Sequence, residues 1–355
     1  MALLRFFLYH RLMHISQLTV DHFRNHSHTT LQLADGVNVL VGENAQGKTN
    51  LLEAIFLSCV GRGWRAGRDS EMVQFGQEQA LVQVTAVKNF GTIEIAIRLG
   101  AGSKKSISIN RVPIAKVAEL MGQINCIFFS PDELKLVKDA PADRRRFVNI
   151  DISQIDKSYF YALTRYNKIL QQRNAYLKSN TDPRELNIWD DQLIKHGNII
   201  ITKRQAFLKQ LAPYVKKKHT ELTGGKEDIE LIYETCTDFA KELANARERD
   251  LRLRTTTVGP HRDDIAILIN GQDVRTYGSQ GQQRTAALSI KLGELDLFTN
   301  VTGERPILLL DDVFSELDSN RQSRLLTSIA NTQVIITTTE VPAMGKIFQV
   351  KHGTV

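Results

Sequence analysis

The spacing of apolar residues predicts strands at the start of the chain. Apolar and polar residues alternate from Ile15 to Phe23, and a second strand pair is predicted at 30–33 and 37–41. Three further alternating runs are separated by glycine-containing turns, which predicts an antiparallel sheet over residues 81–87, 93–99 and 106–109. The largely apolar run at 124–129 predicts a strand that is buried on both faces.

A different spacing in the middle of the chain predicts two long helices. In the first, apolar residues recur at steps of three and four, and one charged residue, Arg173, falls in the same seam; in the second they recur every seven residues. The first set is Tyr159, Leu163, Tyr166, Leu170 and Leu177, and the second is Leu193, Ile200, Phe207 and Tyr214. Because turn-forming residues 180–183 separate the two, we expect an antiparallel helical hairpin. The pattern fits both a bundle core and a projecting coiled-coil arm.

Strands and helices alternate in the last hundred residues. Strands are expected at 264–269, 307–311 and 334–337, and helices at 283–298 and 320–330. This alternation is typical of a parallel sheet wrapped by helices, and we expect the strand at 37–41 to share that sheet. The fold class is therefore α/β, with the helical hairpin as an insertion. The expected segments are an N-terminal extension at 1–12, a first part of the head at 13–140, an inserted helical domain at 141–255 and a second part of the head at 256–355.

A phosphate-binding motif follows the strand predicted at 37–41. Residues Gly42 to Thr49 have the spacing G-x-x-x-x-G-K-T, and the apolar-periodic residues of a helix come next. The N–H groups of such a turn and the positive end of the helix bind phosphate oxygens, with Lys48 at the outer phosphates and the Thr49 hydroxyl on Mg²⁺. The strand before and the helix after argue against an ordinary glycine turn. The predicted ATP contacts in this motif are Gly42, Glu43, Asn44, Ala45, Gln46, Gly47, Lys48, Thr49 and Asn50.

Two adjacent carboxylates end the strand predicted at 307–311. Four apolar residues lead into Asp311 and Asp312, which is where a P-loop ATPase holds its magnesium-binding carboxylate. We expect Asp311 to bind the metal, directly or through water, and Asp312 to polarise the water that attacks the terminal phosphate. A purely structural role is the alternative, but two carboxylates leaving a buried strand are costly without a cation or a partner.

A second candidate anion site precedes the acidic strand. Ser279 lies between Gly278 and Gly281, with Gln282 beside them, at the start of a predicted helix. The free N–H groups at the positive end of that helix can bind an anion. A plain helix cap is the alternative.

Composition limits the possible partners. The 355 residues carry a net charge of +7 and have a pI near 9.2, a mild basic excess that permits nucleic acid without requiring it. The three cysteines are widely spaced, which favours a reducing cytoplasm over a disulfide framework. No apolar run approaches the roughly 18 residues of a membrane span, so we expect no membrane partner. We also expect Met13 to be the natural start of the chain.

The order of these motifs resembles that of the ABC-type ATPase heads, which include the SMC proteins, and most specifically that of the RecF family of bacterial recombination and repair proteins. The resemblance covers residues 13 to about 339 and rests also on motifs at 23–26, 68–71, 129–132, 143–147, 259–264 and 315–318. It implies an ABC-type P-loop ATPase head with a mixed parallel core sheet, an antiparallel sheet and an inserted α-helical domain.

The resemblance also implies a homodimer that forms around ATP. Ser279 and Gly281, with Gln282 beside them, would close over the nucleotide of the partner subunit, and Asp318 would lie at the dimer seam. ATP would join two protomers and hydrolysis would release them. Members of the family are understood to bind double-stranded DNA and gapped DNA at single-strand to double-strand junctions. They are also understood to help RecR and RecO load the recombinase and to support the SOS response.

Departures from transport-type heads indicate slow ATP hydrolysis, which we expect DNA to stimulate. Ser130 stands where those heads have a glutamine, and residues 338–340 stand where they have a histidine. Asp312 replaces their usual glutamate, as in RecF-like sequences. One alternative is the ATP-binding subunit of an ABC transporter, which would need the missing residues and a membrane partner. Another is a different SMC-like head, which would need a far longer coiled coil or an added metal-binding domain.

Clustered arginines suggest where DNA binds. The segment 61–68 contains Arg62, Arg65 and Arg68, three glycines and Trp64, and we expect a flexible cationic strip suited to phosphates. The other basic clusters, at 144–146, 216–218 and 247–254, are more typical of solvated faces. No base-reading helix or zinc module is evident, so binding should be independent of sequence and weakened by salt. His261 either contacts nucleotide or a neighbouring subunit, or is a structural residue of a turn.

Overall fold

The computed structural model of the chain describes residues 13–131, 135–179, 185–313, 331–340 and 345–355, and the single positions 322, 325, 327 and 329. The chain divides into two units. The first consists of Met1–Pro131 and Phe298–Val355, and the second of Asp132–Leu297. The two units meet at positions 131/132 and 297/298 of the sequence, whereas the predicted segments 13–140, 141–255 and 256–355 meet at 140/141 and 255/256.

A five-stranded parallel sheet forms the core of the first unit. Its strands are β3 Val37–Val41, β8 Cys126–Phe129, β12 Ile307–Asp311, β13 Val334–Thr338 and β14 Lys346–Gln349. They lie in the order β14-β3-β13-β12-β8, and every neighbouring pair is parallel. The prediction that β3, β12 and β13 share one sheet is confirmed. All four residues of β8 are buried, as its apolar run predicted.

A six-stranded antiparallel sheet completes the first unit. Its strands are β1 His14–Phe23, β2 His26–Gln32, β4 Gln79–Lys88, β5 Gly91–Gly100, β6 Ser106–Ile109 and β7 Val112–Ile114, in the order β2-β1-β4-β5-β6-β7. The predicted pairing of residues 30–33 with 37–41 is wrong, because β2 pairs with β1 and β3 lies between β13 and β14. The physical reason is burial. Strand β2 keeps one exposed face, whereas four of the five residues of β3 are buried, which suits the interior of a parallel sheet.

Helix α1 Lys48–Val60 packs against strands of both sheets. Eleven of its 13 residues are buried, so its sequence is apolar on nearly every side rather than along one stripe. A 3₁₀ turn at Asp69–Met72 and the short helix α2 Val117–Leu120 follow in the first unit.

The second unit is mainly helical. Its helices are α3 Lys135–Lys138, α4 Pro141–Ile155, α5 Lys157–Ser179, α6 Leu186–Thr223, α7 Phe239–Asn245, α8 Arg247–Leu253, α9 Val274–Tyr277 and α10 Gln280–Thr302, the last of which ends in the first unit. Three strands, β9 Ile229–Glu234, β10 Asp264–Ile269 and β11 Gln272–Asp273, form a separate antiparallel sheet in the order β11-β10-β9. The prediction that residues 264–269 belong to the parallel sheet is therefore wrong. Alternating burial along β10 suits a sheet with one covered face.

The predicted antiparallel hairpin of α5 and α6 is confirmed. Side chains late in α5 meet the start of α6, and side chains early in α5 meet its middle; the pairs are Tyr176 with Glu185, Arg173 with Asp190, and Tyr159 with Arg204. Helix α6 also packs against α4, α7 and β9, so the hairpin belongs to the core of the second unit rather than to a projecting arm.

Several predictions fall on residues that the structure does not describe. These are the extension at 1–12, the turn at 180–183, the motif at 315–318 and most of the helix at 320–330. Within the described ranges, none of the helices has the combination of length and apolar content that a membrane crossing requires.

Candidate functional site

The phosphate-binding motif forms a turn between β3 and α1, as predicted. Two of its residues have left-handed backbone conformations, Ala45 with φ +63° and Gly47 with φ +110°. Gly47 is required for a second reason, since a Cβ atom there would lie 2.6–2.7 Å from side-chain atoms of Asn25 and His26. Helix α1 begins immediately afterwards, at Lys48, so its positive end faces the turn.

The Lys48 side chain extends back to the start of this turn. Its Nζ donates hydrogen bonds to the carbonyl oxygens of Gly42 and Glu43, the second at 2.8 Å. Burial lowers the pKa of Lys48, while the nearby carboxylates of Asp312 and Asp311 oppose that shift. The ammonium group is therefore already held at the turn, next to the two acidic residues.

Asp311 connects the turn with the end of β12. Its Oδ1 accepts hydrogen bonds from the hydroxyls of Thr49 at 2.7 Å and Thr337 at 2.8 Å, and its Oδ2 lies 3.2 Å from Arg65 Nη2. A threonine hydroxyl and a carboxylate are hard oxygen ligands of the kind that Mg²⁺ prefers. The pair predicted to hold the metal, Thr49 and Asp311, thus lies side by side and fits that ion.

Asp312 leaves the sheet directly after Asp311. Its φ of +52° is in the left-handed region, which aspartate tolerates better than most residues. Its backbone N–H is bonded to Thr337, at 2.9 Å to the hydroxyl and 3.2 Å to the carbonyl. The chain therefore turns away from β12 next to Lys48, whose pKa Asp312 influences.

Two residues of the motif at 23–26, to which the sequence pattern gave no individual role, hold the phosphate-binding motif in place. Asn25 Nδ2 donates to the carbonyl of Gln46 at 3.0 Å, and Asn25 Oδ1 accepts from the Asn50 amide at 2.8 Å. His26 is fully buried, and its Nε2 lies 3.1 Å from the Gly47 carbonyl. Because that carbonyl only accepts, Nε2 carries the proton and donates. Burial lowers the pKa of His26, which favours this neutral form.

Backbone N–H groups at residues 352 and 353 also form hydrogen bonds with the phosphate-binding motif. The backbone N–H groups of His352 and Gly353 donate to Gln46, at 2.6 Å to its side-chain oxygen and 3.0 Å to its carbonyl. Gly353 has φ +73°, and a Cβ atom there would lie 2.1 Å from the Asn25 carbonyl oxygen. Only the motif at 23–26 signalled any of this support in the sequence. Nothing in the local pattern pointed to residues 352 and 353.

The arginine strip is anchored rather than flexible, which corrects that part of the prediction. The Trp64 ring stacks on Phe128 at a centroid distance of 3.9 Å, and the Arg65 backbone N–H donates to the buried Glu53 carboxylate at 3.1 Å. Arg24 holds the other oxygen of Glu53 at 2.8–2.9 Å. All three arginines, Arg62, Arg65 and Arg68, are exposed, and the guanidinium of Arg65 also contacts Asp311.

Ser279 and Gln282 form a reciprocal cap at the start of α10. The Ser279 N–H donates to Gln282 Oε1 at 2.9 Å, and the Gln282 N–H donates to Ser279 Oγ at 3.2 Å. The structure thus contains the cap that was the simpler alternative, and it leaves Ser279 exposed. Ser279, Gly281 and Gln282 belong to the second unit, whereas Lys48 and Asp311 belong to the first.

The basic cluster at 144–146 is mainly structural. Arg144 is buried and forms a two-pronged ion pair with Asp264, at 2.6 and 2.9 Å, and Arg145 donates to the Asp263 carbonyl at 2.7 Å. The motifs at 143–147 and 259–264 therefore bind each other within the second unit.

His261 has the structural role that was one of its two alternatives. Its Nδ1 lies 2.7 Å from Tyr166 Oη and its Nε2 lies 3.1 Å from the Thr256 carbonyl. Burial is the main cause that lowers its pKa to about 4. The ring is neutral at pH 7, with Nε2 as the donor and Nδ1 as the acceptor.

The sequence of the chain is similar to that of RecF proteins along nearly its whole length. Residues 14–353 match the family described as RecF/RecN/SMC N terminal domain. The DNA replication and repair protein RecF of Lachnospira eligens is 42% identical over 359 residues, which cover 97% of this chain and 99% of that protein. The RecF of Alkaliphilus oremlandii is 43% identical over 364 residues, which cover 97% of this chain and 100% of that protein.

Solved structures show the same likeness. The recombination mediator protein RecF-ATP in the RecFOR pathway matches with a TM-score of 0.92 and 36% identity over 98% of each chain. RecF-ATPrS in the same pathway matches with a TM-score of 0.91 and 37% identity over 97% of each chain. An Smc head domain from Pyrococcus furiosus matches with a TM-score of 0.55 over 93% of this chain and 90% of that one, and at 16% identity it shows the fold alone. The predicted ABC-type ATPase head is confirmed.

Proposed function

The chain belongs to the RecF/RecN/SMC family and, within it, to the RecF proteins of DNA replication and repair, and we propose that it is an ATP-dependent DNA-binding protein of recombinational repair. It binds ATP and Mg²⁺, dimerises around the nucleotide, encloses double-stranded DNA near gaps, and hydrolyses ATP slowly. The family membership argues against the transporter alternative, which would also need a membrane partner.

One contact carries the nucleotide proposal. The hydroxyl of Thr49, from the phosphate-binding motif, donates to Asp311 at the end of β12 across 2.7 Å. Two segments separated by 262 residues in sequence thereby place a hydroxyl, a carboxylate and the Lys48 ammonium around one point. Bound Mg²⁺ supplies positive charge beside the phosphates; Thr49 and Asp311 hold it, and Asp312 orients water. Relatives of this chain have been solved as RecF-ATP and RecF-ATPrS, which supports ATP as the nucleotide.

The dimer proposal concerns the start of α10. Ser279 is exposed there, and N–H groups in the first turn of a helix attract anions. In the proposed dimer, Ser279 and Gly281, with Gln282 beside them, close over the terminal phosphate in the partner subunit. One chain then holds half of each working site, and the preference of ATP for the closed state drives association.

The DNA proposal rests on charge and family. Arg62 and Arg68 expose cationic side chains on the first unit, which suits sequence-independent phosphate contacts. We assign to this chain a role at gapped DNA, with RecR and RecO as partners in loading the recombinase and a contribution to the SOS response. Relatives of this chain have been solved as recombination mediators in the RecFOR pathway, which supports these partners.

Sedimentation of the purified chain with ATP, ADP or no nucleotide, with and without gapped DNA, tests the proposal. We expect a dimer with ATP alone or with ATP and DNA, and a monomer with ADP. Lys48→Ala removes the ammonium group at the phosphates and should abolish the dimer. A variant that dimerises as the wild type does would refute the phosphate-binding role of this motif.

A second variant separates binding of ATP from dimerisation. Ser279→Arg should leave ATP binding by the monomer intact and prevent the dimer, because the large cation stands where the partner subunit must approach. Loss of ATP binding by the Ser279→Arg monomer would contradict a role for Ser279 in the partner's site.

A further inference from the structure

Two hydrogen bonds of the Gln282 side chain connect the start of α10 with the loop between α6 and β9. Because Gln282 Oε1 accepts from the Ser279 N–H, the Nε2 atom of the same amide points away from Ser279. It donates to Glu227 Oε1 at 3.0 Å. Glu227 lies in the loop between α6 and β9. The Gln282 side chain is thus held on both sides, and its orientation depends on Glu227.

A buried histidine lies next to Glu227. Glu227 Oε2 lies 3.3 Å from His219 Nε2, and His219, near the end of α6, is fully buried. His219 Nδ1 lies 2.9 Å from Ser289 Oγ, whose own proton goes to the Thr285 carbonyl at 2.6 Å. Ser289 therefore accepts from His219 Nδ1. Burial lowers the pKa of His219, which favours the neutral ring, and Nε2 of that ring has no proton to donate to Glu227. The hydrogen-bonded connection from the exposed Ser279 therefore ends at Glu227, beside the packing of α6 against α10.

Contacts of this kind recur along one side of α10. They fall every seven residues, which is about two turns of a helix. The pairs are Gln282 with Glu227, Ser289 with His219, and Asp296 with Lys218 at 3.2 Å. Between the last two, a Cβ atom at Gly293 would lie 2.9 Å from the Val215 side chain, so the two helices are in close contact there. The pair of Gln282 and Glu227 lies nearest to the exposed start of α10. In this pair the partner of α10 is a loop residue, whereas in the other two it is a residue of α6.

We propose that Glu227 is a positioning residue for the Ser279–Gln282 segment, and that it keeps this segment in the conformation that binds the nucleotide of a second copy of this chain. The inference rests on the proposed function, in which that segment acts on the partner subunit. Without Glu227 the Gln282 amide rotates away from the Ser279 N–H, and the first turn of α10 must be ordered again whenever the dimer closes. Glu227 acts through Gln282 and contacts no phosphate itself.

Three variants of the full-length chain test this role. Glu227→Ala removes the acceptor, Glu227→Gln keeps an amide oxygen in its place, and Asp228→Ala is the matched control. Asp228 is the next residue in the loop, and its carboxylate pairs with Lys216 on the surface at 2.8 Å. ATP binding by the monomer, the melting temperature and the dissociation constant of the ATP-dependent dimer are measured for each.

We expect Glu227→Ala to weaken the dimer about tenfold, as the loss of one hydrogen bond to a charged group implies. Glu227→Gln should restore most of that loss, and Asp228→Ala should behave as the wild type does. ATP binding by the monomer and the melting temperature should stay close to the wild-type values in all three. A general loss of stability would lower the melting temperature and would not be rescued by glutamine.

Exchanging the amide of Gln282 and the carboxylate of Glu227 gives a second test, which does not require the Glu227→Ala variant to fold. Gln282→Glu puts two carboxylates side by side, and adding Glu227→Gln restores one amide and one carboxylate in exchanged positions. We expect the double variant to dimerise more tightly than Gln282→Glu alone. Two outcomes would overturn the role of Glu227. In the first, the wild type dimerises with ATP and Glu227→Ala dimerises equally tightly. In the second, the double variant dimerises no more tightly than Gln282→Glu. A wild-type chain that stays monomeric with ATP would instead overturn the proposed function.

Discussion

Arg65 Nη2 lies 3.2 Å from Asp311 Oδ2, so a cation of the chain itself contacts the carboxylate that is expected to bind the metal. The sequence assigned Arg65 to DNA because of its two neighbouring arginines, and that role stays a prediction. The ion pair links the arginine strip to the nucleotide site. The Arg65 side chain is 48% exposed, so the pair is a weak one that a divalent ion can displace.

We predict that Arg65→Gln lowers the Mg²⁺ concentration needed for half-maximal ATP binding, by roughly two- to fivefold. The guanidinium and the metal compete for the same carboxylate, so removing the charge favours the metal. Titration of Mg²⁺ at fixed ATP, followed by fluorescence of a labelled nucleotide, measures this. Arg62→Gln, with the same charge change three residues earlier, should leave the midpoint in place. An unchanged or higher midpoint for Arg65→Gln would rule out the competition.

Gly353 should be needed for nucleotide binding although it lies at the far end of the sequence. Gly353→Ala puts a Cβ atom 2.1 Å from the Asn25 carbonyl oxygen and so displaces two of the groups that hold Gln46. We expect at least a tenfold loss of ATP affinity in a titration of the monomer.

Gly303→Ala is the matched control for this variant. Its φ of +74° is almost equal to the +73° of Gly353, but no atom lies within 4 Å of the added Cβ. Both variants should lose about 1–2 kcal/mol of stability from the left-handed conformation, and only Gly353→Ala should lose ATP affinity. Equal ATP affinities in the two variants would show that the grip on Gln46 is not needed for binding.

His261 makes the stability of the protein depend on pH between about 4 and 6.5. Burial holds its pKa at about 4, below the unfolded value of 6.5, so the unfolded chain takes up the proton first as the pH falls. The contribution is fully present above pH 6.5 and is lost toward pH 4, by about 3 kcal/mol in total.

Replacement of this ring by a neutral amide isolates its share of the pH dependence. His261→Gln retains a donor for Thr256 and an acceptor for Tyr166, and it does not titrate. Urea unfolding at pH 7.5, 6.0 and 4.5 should show a smaller loss of stability in this variant than in the wild type. Parallel losses in the two proteins would mean that His261 does not take up the proton on unfolding.

Arg62 and Arg68 are expected to bind DNA phosphates. The double variant Arg62→Glu, Arg68→Glu should lower the affinity for a gapped duplex, and the slope of log affinity against log salt should become shallower by roughly 0.9 for each phosphate that the variant no longer neutralises. Arg111→Glu makes the charge change of one of these two substitutions on another exposed part of the first unit, with 86% of the Arg111 side chain exposed, and should leave the slope nearly unchanged. An unaltered slope in the double variant would remove the strip from the DNA site.

The sequence was most informative where neighbouring residues determine the structure. The turn between β3 and α1 follows from local spacing, because the glycines, Lys48 and the helix start all lie within a dozen residues. The seam of the α5–α6 hairpin was likewise visible in the apolar spacing. Its charged member, Arg173, is fully buried and pairs with Asp190 and Asp250, each at 2.7 Å. The sequence could identify Arg173 as a member of the seam but could not supply its partners.

Pairing between distant segments was where sequence reasoning failed. The strand at 264–269 was assigned to the parallel sheet because a helix and two more strands follow it, but β10 pairs with β9 instead. Residues 30–33 and 37–41 are adjacent in sequence and still belong to different sheets. A strand carries its own burial pattern, but its hydrogen-bonding partner is chosen by the whole fold.

The sequence by itself determined the chemistry of this protein, because a P-loop, an acidic strand end and a glycine-flanked serine each depend on residues that are consecutive in the chain. Only the tertiary structure decided what holds these parts in place. Asn25, His26 and Gly353 reach the P-loop from opposite ends of the chain, and Glu227 reaches Gln282 from another loop. Such support consists of single hydrogen bonds between distant residues, and these leave no periodic pattern in a sequence.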